Sequence, residues 1–220
     1  MKDIKQFYKQ HEEEYNEIDE KLDKVNNRFL DGNRELQRRM LLDSYMFAVL
    51  SIQTPVGIHE DAFRSIKTGA DYEDALSSVN YWKNKVSYIR ETEVKFEEID
   101  RAIELLEENK TDKAQRVLID EFKGVGTVKS AFTLAMLGFK DKACIDTNVL
   151  TALGMEREDA YNGVVVEKYN KFVESAFEEI DAEFKKEAPN RFMNQWVIFD
   201  AVREEFTNHE VFFDLVGVEA

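Results

Sequence analysis

The sequence predicts an all-α fold, and three observations carry that expectation. Apolar residues recur at steps of three and four along most of the 220-residue chain, which aligns them on one face of a helix. Only two prolines and nine glycines interrupt the pattern, so few positions resist helix formation. Strict apolar–polar alternation, the mark of a half-buried strand, is absent.

The elements follow in order. Tyr15, Ile18, Leu22, Val25 and Phe29 predict a long acidic N-terminal helix that ends near Asp31-Gly32-Asn33. A second helix starts near Asn33 and runs through Leu36, Met40, Tyr45, Phe47 and Leu50 to the break at Gln53-Thr54-Pro55, because proline disfavours helix in the residue before it. Shorter helices are expected over about 59–67, 71–79, 81–91 and 95–109. Toward the C-terminus, Tyr169, Phe172, Val173, Phe177, Ile180 and Phe184 form one stripe, and Phe192, Trp196, Val202 and Phe206 another. Both are read as core packing.

A hydrophobic content of 43% supplies a real core, and no internal repeat or low-complexity linker divides the chain. The longest apolar stretch, Ala131 to Phe139, suits a buried helix rather than a membrane span. The opening MKDIKQFYKQHEEE lacks a signal-peptide pattern. A cytoplasmic protein without membrane contact is expected, monomeric by default.

Cys144 is the single cysteine, which excludes an internal disulfide, a multi-cysteine zinc site and a four-cysteine iron–sulfur cluster; it reads as a small core residue. His11, His59 and His209 lie far apart with no metal-ligand spacing. No metal or redox cofactor is expected from them. The formal charge of −15 opposes ordinary nucleic-acid binding, because phosphate contacts need Lys and Arg. Plain solubility, a high-salt cytoplasm and mimicry of DNA all produce such a charge. Glu12 to Glu14, and Glu104 with Glu107 and Glu108, read as solvated helix faces.

Against that background one stretch stands out, Glu121 to Leu150. An amphipathic helix ending near Phe122 leads into Lys123-Gly124-Val125-Gly126-Thr127, and an apolar helix starts at about Val128. Two glycines allow a tight turn that aims the first amides of the second helix at an anion such as a DNA phosphate. From Lys123 to Asp146, four lysines face two aspartates, a local +2 in a chain of −15. Downstream stands Ile145-Asp146-Thr147-Asn148-Val149.

The order GVG, A-x-x-x-LxxLG, IDTNVL resembles the helix-hairpin-helix, Gly-Pro-Asp superfamily of DNA glycosylases. Phe47-Ala48-Val49-Leu50-Ser51-Ile52-Gln53-Thr54 is similar to its early LSxQT element, and Asn80-Tyr81-Trp82-Lys83-Asn84-Lys85-Val86 to its GxYxxKA helix. The likeness covers about 45–155.

The resemblance implies a two-lobed helical fold with a helix-hairpin-helix at about 112–139. It implies one unit over 1–220, in which 45–155 forms the glycosylase-like core while 1–44 and 156–220 add the flanking helices of a second lobe. The implied activity is excision of a damaged or mismatched base from double-stranded DNA, in a nucleoid-associated setting. Asp146 falls on the family's catalytic carboxylate, and its other reading is a helix N-cap. Lys123, Gly124, Val125, Gly126, Thr127 and Lys129 would meet the DNA backbone. Gln53 is the candidate wedge for the gap left by an extruded base, or a polar residue ending a helix. Tyr81 and Trp82 would stack on that base, although core packing is the favoured reading of both. The hairpin carbonyls around Lys123 to Gly126 hold a monovalent cation in relatives.

The departures are specific. Backbone-cutting relatives carry lysine two residues after the second hairpin glycine, where this chain has Val128; Lys129 is one position late, about 100° around the helix. Lys129 is therefore read first as a phosphate contact or surface charge, and a monofunctional enzyme is expected. Lys123 replaces the usual proline, Asn148 the usual histidine, and the cluster cysteines are missing. The alternatives are a non-catalytic hairpin DNA-binding protein and an acidic interaction protein that has lost DNA binding.

Overall fold

The computed structural model describes residues 4–156, 168, 171 and 190–216. Among them lie twelve α-helices and no strand: α1 Ile4–Gln10, α2 Glu12–Leu30, α3 Arg34–Leu50, α4 Val56–Lys67, α5 Tyr72–Leu76, α6 Trp82–Glu93, α7 Phe96–Glu107, α8 Thr111–Glu121, α9 Thr127–Met136, α10 Thr147–Ala152, α11 Arg191–Arg203 and α12 Glu210–Val216. The stripe Tyr169 to Phe184 lies outside the described residues. No helix among the described residues is long and apolar enough to cross a membrane.

The chain divides into two compact units, residues 1–20 with 140–208 and residues 21–139 with 209–220. These boundaries differ from the expected 45–155 core with flanks 1–44 and 156–220. The cause is packing along α2: its first half bonds to α11, and its second half bonds to the end of α9.

In the first unit, Phe7, Tyr8, Tyr15 and Ile18 of α1 and α2 are buried, as are Phe192, Trp196 and Val197 of α11. The centre of this packing is polar. The Tyr15 hydroxyl donates to Asp200 Oδ2 at 2.9 Å, and the Thr207 amide donates to the same oxygen at 3.2 Å. Asp200 Oδ1 is buried and has no hydrogen-bond partner among the described residues. Burial, the largest cause, pushes the Asp200 carboxyl up to about 7 against the opposing pull of its hydrogen bonds and of Arg203. Burial beside Asp200 raises Tyr15 as well, which keeps its hydroxyl a donor.

In the second unit α3 packs on α4, α6, α7 and α9. Asn33 caps it as the sequence predicts, accepting from the Leu36 amide at 3.0 Å. Asn26 of α2 donates to the Leu137 carbonyl at 3.0 Å. This close approach requires glycine at position 138, where φ is +82° and a Cβ would stand 2.4 Å from the Leu22 carbonyl oxygen.

Two outcomes follow from this packing. Asp200 binds its proton more tightly folded than unfolded, so the native state holds more protons between about pH 4 and 7 and stability falls as pH rises through that window. Asp200→Asn keeps an acceptor for Tyr15 and removes the titration. Thermal melts from acid to mildly alkaline pH should show the variant gaining on the native chain by as much as about 4 kcal/mol. Gly138→Ala should lower unfolding stability by about 2 kcal/mol or more in a denaturant titration.

Candidate nucleic-acid interface

The sequence-predicted hairpin is the α8–α9 pair of the second unit. Phe122 ends α8 in extended geometry, Gly124 turns the chain at φ +75°, and Gly126 enters α9 extended. A Cβ at Gly124 would stand 2.5 Å from the Tyr88 ring, so this glycine is required by space as well as by φ. Val125 is buried and anchors the turn, while Lys123, Gly124, Gly126 and Thr127 are exposed. No side chain caps the start of α9, so its first turn presents amide donors and a positive dipole end to solvent.

Tyr45 holds the turn from beneath. Its hydroxyl lies 2.8 Å from the Lys123 carbonyl and 3.0 Å from that of Tyr88, accepts from the Thr92 hydroxyl, and its ring meets Phe122 edge-on. Burial raises its pKa, so it remains a donor. The Lys123 carbonyl, one of those expected near a monovalent cation, is thus already engaged by Tyr45.

Beside α9 lies the turn 51–54 that follows α3. Lys129 is half-buried rather than a surface charge: Nζ donates to Ser51 Oγ at 2.8 Å and sits 5.3 Å from the Phe132 ring centre. The α3 end holds Lys129 close because both elements pack on the same core. Lys85 of α6 is buried beneath the turn, with Nζ donating to the Leu50 carbonyl at 2.9 Å, the Ile52 carbonyl at 2.7 Å and Thr54 Oγ1 at 2.9 Å. Burial, with the Lys129 charge as the lesser cause, brings Lys85 down to about 8.

This clamp leaves Gln53 exposed at φ +51°. Asn80 donates to the Gln53 carbonyl, and the next residue, Tyr81, also stands in left-handed geometry at φ +57°. Tyr81 is 62% exposed, which overturns the core-packing reading: as the residue before α6, it is turned outward by its backbone. Trp82 is half-buried beneath the Lys83 ammonium. Two exposed residues in sparsely populated backbone geometry therefore share one edge, where such strain is often functional.

Asp146 belongs to the first unit. It caps the six-residue α10, with Oδ1 accepting from the Asn148 and Val149 amides at 3.0 Å each and Oδ2 from Asn148 Nδ2 at 3.3 Å. The capping alternative is thus present in the geometry, in a half-buried carboxylate. Cys144 is buried, as expected of a core residue.

Sequence reasoning assigned no role to Lys85, although a signal was there: it falls on the buried stripe of α6 with Val86, Ile89 and Thr92. It also missed the meeting of His59 with His209, whose ring centres are 5.9 Å apart. Nothing local in the sequence announces that contact. No family model, curated protein or solved structure matches the chain.

Lys85→Met keeps the apolar stem and removes three donated hydrogen bonds. Unfolding stability should fall by about 2–3 kcal/mol, and limited proteolysis should open the chain within the turn 51–54 first.

Proposed function

We propose that this protein is a monofunctional base-excision DNA glycosylase of the helix-hairpin-helix, Gly-Pro-Asp type, acting on a damaged or mismatched base in double-stranded DNA. The observation that carries the reading is the α8–α9 turn, whose exposed glycines and uncapped first turn offer amides to a phosphate in a locally basic glycine hairpin of an acidic chain. Exposed Gln53 and Tyr81 on the neighbouring turns support it, as a wedge and a stacking face need exposure.

In the reaction the N-glycosidic bond breaks, the bonding pair leaves with the base, and the base takes up a proton. Positive charge builds on the sugar, and a carboxylate near C1′ stabilises it while water adds at that carbon and loses a proton. Asp146 takes that role. Lys129, tied to Ser51, serves phosphate binding rather than nucleophilic attack.

A second reading is favoured by one observation: both oxygens of Asp146 already accept hydrogen bonds within its own helix cap. On that reading the protein binds DNA without cutting it. An acidic interaction protein without DNA affinity is the third reading.

The test incubates the chain with duplexes carrying a panel of damaged and mismatched bases, in low and in molar potassium salt, followed by hot alkali. Asp146→Asn is the matched control, since asparagine caps a helix as well as aspartate does. Alkali-dependent nicking of one duplex, lost in the variant while DNA binding persists, is expected. Binding without nicking overturns the enzyme in favour of the second reading, and no retention on DNA at any salt favours the third. Nicking without alkali makes the protein a lyase and restores Lys129 as nucleophile.

A further inference from the structure

A polar cluster in the second unit is used by none of this chemistry. His59 and Glu60 sit in the first turns of α4, and His209 immediately precedes α12, 149 positions from Glu60. His59 is 2% exposed, and its ring meets Phe47 edge-on at 4.9 Å. The His209 ring meets Phe47 at 5.2 Å, and its Nδ1 lies 2.8 Å from Glu60 Oε1. One donor atom from each of the three residues lies within 4.8 Å of the others.

Two features of this cluster lack an explanation in packing alone. Among the described residues neither ring nitrogen of His59 has a hydrogen-bond partner, although the ring is buried, and a buried polar atom left unpaired is costly. His209 holds φ at +49°, a conformation that a histidine keeps only when its surroundings over-determine it.

We propose that His59, Glu60 and His209 bind a divalent first-row transition metal, zinc above all, and that the ion staples α12 to α4. Two imidazoles and one carboxylate suit zinc, with a fourth position left to water. Tetrahedral zinc at about 2.0–2.2 Å from each donor asks for donor separations of about 3.4 Å; the three donors lie within 4.8 Å of one another and must draw closer on binding. Glu60 contributes the negative charge. Lys129 and Lys85 oppose the cation, which sets the affinity below that of a site free of ammonium neighbours. The proposal is independent of the DNA reading.

The full chain, stripped with a chelator that is then removed, is titrated with Co²⁺ and afterwards with Zn²⁺. A saturable visible Co²⁺ spectrum at one ion per chain, bleached by Zn²⁺, and a melting temperature raised by Zn²⁺ and lowered again by chelator are expected. Glu60→Gln keeps an acceptor for His209 and should weaken Co²⁺ binding by at least about tenfold. His59→Phe keeps a ring against Phe47 and should abolish the spectrum. No spectrum, or one unchanged in both variants because surface carboxylates hold the ion, overturns the proposal. Should His59→Phe fail to fold, Glu60→Gln with a native circular dichroism spectrum decides alone.

Discussion

A helix that ends inside a protein leaves its last carbonyls to find partners away from water. α3 ends this way at buried Leu50, and the partner is the Lys85 ammonium, which takes the Leu50 and Ile52 carbonyls together with the Thr54 hydroxyl. A buried ammonium persists only where its donors are satisfied, so the group and the turn specify each other. Everything along that edge depends on the turn: the exposure of Gln53, the Asn80 bond that sets Tyr81, and the Ser51 hydroxyl that receives Lys129.

The hairpin beside it shows how an acidic chain can carry a local anion site. Net charge acts at a distance and is screened by salt, whereas backbone amides at a helix start act within a few ångströms. Val125 and Tyr45 bind the turn to the core from within and Gly124 packs against the Tyr88 ring, while Gly126 at the start of α9 faces open space. Asp146 illustrates the opposite economy, in which one carboxylate caps a helix and still stands half-exposed.

Much of this was legible residue by residue. The spacing of Tyr15, Ile18, Leu22, Val25 and Phe29 announces α2, Asn33 announces the start of α3, and Gly124 with Gly126 announces the turn into α9. Less legible was the division of the chain, because the same apolar stripe of α2 serves both units and periodicity does not say which partner each turn meets. Tyr81 was misread for a related reason. An aromatic before a helix suggests core, and only the left-handed backbone at that position turns it outward.

The sequence by itself determined the helical character of the described residues, the caps at Asn33 and Asp146 and the glycine turn between α8 and α9, because each rests on interactions within three or four residues, where chain geometry leaves little choice. The tertiary structure alone decided that Lys85 lies beneath Gln53, that Lys129 reaches Ser51, and that His59 and Glu60 meet His209. Those contacts join residues far apart in the chain, and they arise only when the packing of one apolar face against another has chosen which helices become neighbours.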